Sequence, residues 1–138
     1  MPASEIAALE HVNVTVAEPE EVAAMLCRLF GWRIRWQGGS IHGGRSVHVG
    51  GESSYLALYS PSGAVLVPKT DSYHQLAGLN HIGLTVADLD RAEAKVRAEG
   101  YTPHSHADYE PGRRFYFDDD NGVEYEVVSY ADGAGPHP

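Results

Sequence analysis

The chain has 138 residues, 43 % of them hydrophobic and 21 % charged, enough apolar material for a sizeable core without a disulfide or metal staple and too much for a disordered chain. Nineteen acidic against ten basic side chains leave a net charge of −9, a field that repels phosphate backbones and argues against a nucleic-acid partner. A single cysteine, Cys27, excludes an intrachain disulfide, and no apolar run approaches the roughly 20 residues of a membrane span, so the expectation is a soluble, cytoplasmic protein with no membrane partner.

In chain order, residues 9–18 (Leu-Glu-His-Val-Asn-Val-Thr-Val-Ala-Glu) alternate as a strand does. Glu18-Pro19 then opens a helical pattern with apolar Val22, Met25, Leu26 and Leu29, closed by Gly31. Short alternating runs follow at Arg33–Gln37, Arg45–Val49 and Ser54–Tyr59. The glycine-rich stretch Gly39–Ser46 resembles a phosphate loop but runs on into Val47-His48-Val49, so it reads as a hairpin loop. Pro61–Gly78 connects to a second copy of the same plan.

Residues 79–88 (Leu-Asn-His-Ile-Gly-Leu-Thr-Val-Ala-Asp) match residues 9–18 at five of ten positions. Asp88 opens a helix through Leu89, Ala92 and Val96 that ends at Gly100, and runs at Tyr101–His106, Arg113–Phe117 and Val123–Tyr130 complete the module. The predicted fold class is α+β: two β-α-β-β-β modules, about 8–60 and 79–130, paired in one domain, with Ala131–Pro138 a loose tail.

The repeat carries chemistry. In a strand, alternate residues share a face, so His11 points with Asn13 and Thr15 while Val12, Val14 and Val16 point toward the helix. His81 sits at the equivalent place, with Gly83 and Thr85 on its face. The last run, Val123-Glu124-Tyr125-Glu126, puts two carboxylates on one face. Two imidazoles and a carboxylate form a set that suits Fe(II), Mn(II) or Zn(II) with positions open for substrate; on spacing alone Glu124 and Glu126 are equal candidates. His104 and His106 alternate and so share a face as a possible metal pair, but read better as surface histidines.

The paired modules, the His-led strand opening each, and the run Asp119-Asp120-Asn121-Gly122-Val123-Glu124-Tyr125-Glu126 resemble the vicinal-oxygen-chelate superfamily of glyoxalases, bleomycin-resistance proteins, fosfomycin-resistance transferases and extradiol dioxygenases. The resemblance covers residues 8–130 and implies His11, His81 and Glu126 as metal ligands. It implies a divalent metal cofactor, with Fe(II) favoured and Mn(II), Zn(II) or Ni(II) possible. The fourth ligand position of the family falls on Ala57, which neither binds metal nor moves a proton, so glyoxalase and epimerase chemistry are disfavoured. Tyr116 matches a tyrosine beside the metal and is the expected catalytic donor; Asn13, Tyr55, Ala57 and Arg114 are the expected substrate contacts.

Two classes of function follow. The first is a metalloenzyme, extradiol-dioxygenase-like, acting on a small molecule that chelates through adjacent oxygens. The acidic chain offers only Arg113 and Arg114 near its end for a phosphonate, which disfavours the fosfomycin transferases. The dioxygenases place an acid–base histidine near the position of Ser54–Tyr55, where this chain has none in sequence, leaving His48, His104 or His106 to approach it. The second class is a metal-free binding protein of the bleomycin-resistance kind, with Trp32, Trp36, Tyr55 and Tyr59 near an acidic cleft. In either case the family implies a homodimer.

Overall fold

The computed structural model describes residues 6–109 and 112–130, so the expected tail Ala131–Pro138 lies outside the described residues. The chain divides into two compact units, Met1–Leu66 and Val67–Pro138. The first contains β1 (His11–Thr15), α1 (Pro19–Phe30), β2 (Arg33–Gly39), β3 (Arg45–Gly50) and β4 (Tyr55–Ser60). The second contains β5 (Ile82–Thr85), α2 (Leu89–Ala98), β6 (His104–Tyr109), β7 (Gly112–Asp118) and β8 (Glu124–Ser129). Each forms a four-stranded mixed sheet, β1-β4-β3-β2 in one and β5-β8-β7-β6 in the other, so the α+β class and the repeated β-α-β-β-β plan are what the chain adopts.

The helix boundaries follow from their end residues. Pro19 stands in the first turn of α1, and Gly31 closes it in the left-handed region at φ 70, its N–H donating to Cys27 O. The Asp88 side chain caps α2 by accepting from Arg91 N at 3.0 Å. Val22, Met25, Leu26 and Leu29 are buried beneath α1 together with Val47, Val49, Leu56 and Leu58 of the sheet. In the second unit Leu89, Ala92 and Val96 share the core with Phe115, Phe117, Tyr125 and Val127. A single Phe→Ala change in such a core costs about 3–5 kcal/mol.

Three expectations are corrected. Val12 is 37 % exposed although its strand face was expected to pack on the helix. The physical reason is position: β1 lies at the end of its sheet, and α1 packs over β2, β3 and β4. The predicted run Tyr101–His106 begins as β6 only at His104, after Pro103, which has no N–H to give the ladder. Finally, His104 and His106 do not share a face. The β6–β7 register shifts between His104 and Ala107, with Ser105 at φ 56, a bulge that turns the two imidazoles apart. His106 meets Glu93 of α2 at 3.0 Å, whereas His104 meets Asp118 at 3.2 Å. The stretch Gly39–Ser46 is the antiparallel β2–β3 hairpin connection with a short 3₁₀ turn at Ile41–Gly43, as expected of a loop without phosphate-binding geometry.

The turn that launches β8 is built on Asp119. Its Oδ1 accepts from the backbone N–H groups of Asn121 and Val123 at 2.9 and 3.0 Å, and Tyr125 donates its hydroxyl to Oδ2 at 3.1 Å. Truncation in Asp119→Ala orphans the buried Tyr125 hydroxyl and both amides, and costs about 2–3 kcal/mol in a urea titration. Burial pushes the Asp119 carboxyl above its ordinary pKa. The folded state therefore holds this proton more tightly than the unfolded chain. The associated stability is complete below the ordinary carboxylate pKa of about 3.9 and declines as pH rises through the folded value. The melting-temperature difference between wild type and Asp119→Asn accordingly shifts in favour of wild type as pH is lowered from 7 toward 4.

Candidate functional site

Strand alternation gives each sheet one face against its helix and one face away from it. On the outer face of the first unit, His11 lies opposite Tyr55, and Asn13 opposite Ala57. Ala57 pairs in turn with His48, and His48 with Trp36. Aromatic rings line this row: His11 stacks on Tyr55 at 4.9 Å and Tyr55 on His48 at 4.6 Å, while Trp36 meets His48 tilted by 51° at 5.0 Å. A register shift between Ile34 and Trp36 brings Arg35 onto the same side, its guanidinium 4.7 Å from the Tyr55 ring centre.

Glu10 fixes the orientation of His11. Its Oε1 lies 2.9 Å from His11 Nδ1 and accepts from the Tyr55 hydroxyl at 3.2 Å. These hydrogen bonds hold the Glu10 carboxyl below its ordinary pKa. A carboxylate on Nδ1 selects the tautomer that leaves Nε2 as a free donor atom, the usual arrangement behind a metal-ligating histidine. Partial burial, with the positive charge of neighbours second, holds His48 below its ordinary value, so it is neutral at pH 7.

In the second unit the structure brings four expected site residues together. His81 Nε2 lies 3.2 Å from Glu126 Oε1, and Arg114 donates from Nη1 to Glu126 Oε2 at 2.9 Å. The Glu126 and Arg114 side chains are 14 % and 15 % exposed, so this charge pair is largely withdrawn from water. Tyr116 pairs with Glu126 across β7 and β8, and its ring meets His81 edge-on at 5.6 Å. Two ligands at right angles, each about 2.1 Å from one ion, stand about 3 Å apart. The His81–Glu126 spacing therefore fits a shared divalent metal as it stands.

Tyr73, in the short 3₁₀ turn Ser72–His74, completes the surroundings of His81. Its hydroxyl lies 3.3 Å from His81 Nδ1 and donates to Glu124 Oε1 at 2.7 Å, a bond that pushes the phenol up to about 12. The position before His81 is Asn80, where its repeat partner is Glu10. The Tyr73–Glu124 pair thus does for His81 what Glu10 does for His11. Glu124 and Glu126 separate in role here: Glu126 faces Nε2, and Glu124 backs Nδ1 through Tyr73.

The registers also align the two faces position by position. Ala57 opposite Asn13 corresponds to Glu126 opposite Gly83. His48 beside Ala57 corresponds to Tyr116 beside Glu126, and Trp36 beside His48 to His104 beside Tyr116. Sequence reasoning passed over Glu10, Arg35 and Tyr73. Glu10 was detectable as an acid next to a candidate ligand, whereas Arg35 depends on a bulge and Tyr73 on a connector with no periodicity.

Comparisons with known proteins agree with this architecture. The family model described as Glyoxalase/Bleomycin resistance protein/Dioxygenase superfamily matches residues 8–127. Among solved structures, the glyoxylase/bleomycin resistance protein/dioxygenase domain from Frankia sp. EAN1pec is 18 % identical, with a TM-score of 0.75 over 90 % of this chain and 92 % of that one. The fosfomycin resistance protein FosX from Listeria monocytogenes, complexed with Mn(II) and sulfate, is 18 % identical with a TM-score of 0.68, covering 90 % and 93 % of the two chains. TnmS3, an antibiotic binding protein from Streptomyces sp. CB03234, is 17 % identical with a TM-score of 0.67, covering 90 % and 96 %. Curated proteins yield no significant match. At these identities the solved structures establish the fold alone. No helix among the described residues is long and apolar enough to cross a membrane.

Proposed function

The chain belongs to the Glyoxalase/Bleomycin resistance protein/Dioxygenase superfamily, and from that membership we propose a metalloenzyme whose substrate chelates a divalent ion through adjacent oxygens. His11, His81 and Glu126 would hold the ion. The observation that carries this reading is the 3.2 Å approach of His81 Nε2 to Glu126 Oε1, with the other nitrogen of each histidine already occupied by an orienting partner. Fe(II) is favoured over Mn(II), Zn(II) and Ni(II); such an ion supplies Lewis acidity and, as iron, redox chemistry.

The side chains divide the remaining work. Arg114 neutralises Glu126 Oε2 and leaves Oε1 to the ion. The Tyr116 phenol donates a hydrogen bond to a substrate oxygen that gains negative charge. Neutral His48 accepts a substrate hydroxyl proton at a ring nitrogen, the task a dioxygenase requires and a tyrosine with an ordinary pKa near 10 performs poorly at pH 7. Asn13, Tyr55 and Arg114 contact the substrate, and the methyl of Ala57 takes no part in binding the ion. This division favours extradiol-type, oxygen-dependent cleavage of a small catechol. An oxygen electrode run over a panel of catechols with anaerobically loaded Fe(II) protein tests it. Uptake is expected with at least one catechol and abolished in Glu126→Ala; no uptake across the panel refutes the dioxygenase assignment.

One observation favours a second reading, a metal-free binding protein. The stacked His48 and Tyr55 rings and the tilted Trp36 ring beside them offer aromatic faces to a ligand, and Trp36 is 49 % exposed. Quenching of tryptophan fluorescence by an aromatic ligand, unaltered after exhaustive chelation, would support sequestration over catalysis.

The exposed apolar run Val65, Leu66 and Val67, at 44 %, 86 % and 87 % exposure, supports the homodimer. Leu66→Asp with Val67→Asp is expected to convert a sedimenting dimer to monomer; a wild-type monomer at micromolar concentration refutes it.

A further inference from the structure

The second sheet carries a group of ligating side chains of which the site above uses only Glu124, and that one behind Tyr73 rather than as a ligand. His104, Asp118 and Glu124 each offer one donor atom, and these atoms all lie within 4.8 Å of one another. They come from three neighbouring strands, β6, β7 and β8, with Asp118 paired to Glu124 across the ladder. His104 Nε2 and Asp118 Oδ2 stand 3.2 Å apart, already near the roughly 3 Å between two ligands at right angles on one ion.

We propose that His104, Asp118 and Glu124 form a second divalent-cation site, separate from the His11, His81 and Glu126 set. One imidazole nitrogen with two carboxylates is a donor set for a first-row ion such as Mn(II) or Zn(II). The imidazole is prepared for it: His104 Nδ1 lies 2.9 Å from Ser105 Oγ, which directs Nε2 toward Asp118. The ion would take the place of the present Nε2–Oδ2 hydrogen bond. Glu124 retains its contact with Tyr73, because a carboxylate accepts several partners at once.

The group is particular to the second module rather than a by-product of the repeat. Position by position, the registers put Trp36, Gly50 and Tyr55 of the first unit where His104, Asp118 and Glu124 stand in the second. The indole and the glycine offer no ligand atom, and the Tyr55 hydroxyl is engaged with Glu10. A substitution pattern that places an imidazole and two carboxylates at three positions converging on one point, where the copy has an indole, a glycine and a phenol, builds a donor set.

The experiment is calorimetric titration of the full chain with Mn(II) and with Zn(II), with metal content measured after desalting. Wild type is expected to bind two ions per chain. His104→Gln and Asp118→Asn should each weaken one of them at least about 10-fold and spare the other, while His81→Ala should do the reverse. Circular dichroism confirms that each variant is folded, and the paired conservative changes guard against loss of either one. Two-ion binding unaltered in both His104→Gln and Asp118→Asn overturns the proposal, as does a single ion lost in His81→Ala alone. A single ion lost in His104→Gln but kept in His81→Ala upholds this site and refutes the His11, His81 and Glu126 assignment.

Discussion

Glu126→Ala should be the most damaging single substitution on the outer face of the second sheet. It removes the proposed metal ligand and the carboxylate that neutralises Arg114 in surroundings where both side chains are about 15 % exposed or less. Breaking a pair this far from water costs about 2–4 kcal/mol, because the guanidinium keeps its desolvation without its counter-charge. Glu126→Gln keeps the shape and one acceptor, so its loss of stability is smaller, while its loss of metal is similar. Metal affinity in both should fall by more than the about 10–100-fold typical of losing an outer-shell partner. Urea midpoints paired with metal titration separate the two effects. Equal stability of wild type and Glu126→Ala would show that the Arg114 pair is energetically idle.

Isomerisation of the methylglyoxal–glutathione adduct should not exceed the uncatalysed rate with Zn(II), Ni(II) or Co(II). Proton abstraction beside a carbonyl needs a base within about 3 Å of the carbon acid, and such a base is worth about 100- to 10,000-fold. The register puts Ala57 where the second module has Glu126, so the first module supplies no carboxylate at that point. Turnover in a spectrophotometric assay would mean that His48 or Glu124 acts as the base, and the dioxygenase ranking would fall.

Much of the fold was legible because it is written twice. The 9–18 and 79–88 copies, the proline and glycine at the ends of α1 and the alternating runs are local signals, and local signals repeated at one spacing reinforce each other. What escaped reading was non-local. Strand alternation predicts a face but not what covers it, so Val12 was expected to pack and instead stands 37 % exposed at the end of its sheet. Alternation also fails at a bulge. Ser105 reverses the relation between His104 and His106, and the shift at Ile34–Trp36 delivers Arg35 to the Tyr55 ring. Around His81, the grouping with Glu126, Tyr116 and Arg114 was expected from spacing and resemblance, and the four side chains do lie together. Tyr73 was not, since its role depends on how an aperiodic connector returns to the sheet.

The central claim is that His11, His81 and Glu126 hold one ion, and metal binding by His11→Ala tests it most directly. His11 is the ligand proposed from the first module, and its side chain is 42 % exposed, so its loss leaves the core intact. The expected result is a variant with wild-type circular dichroism and melting temperature that has lost the ion which His81→Ala also loses. Wild-type affinity and stoichiometry in a folded His11→Ala protein would contradict the claim and leave the metal, if bound, to the second module alone.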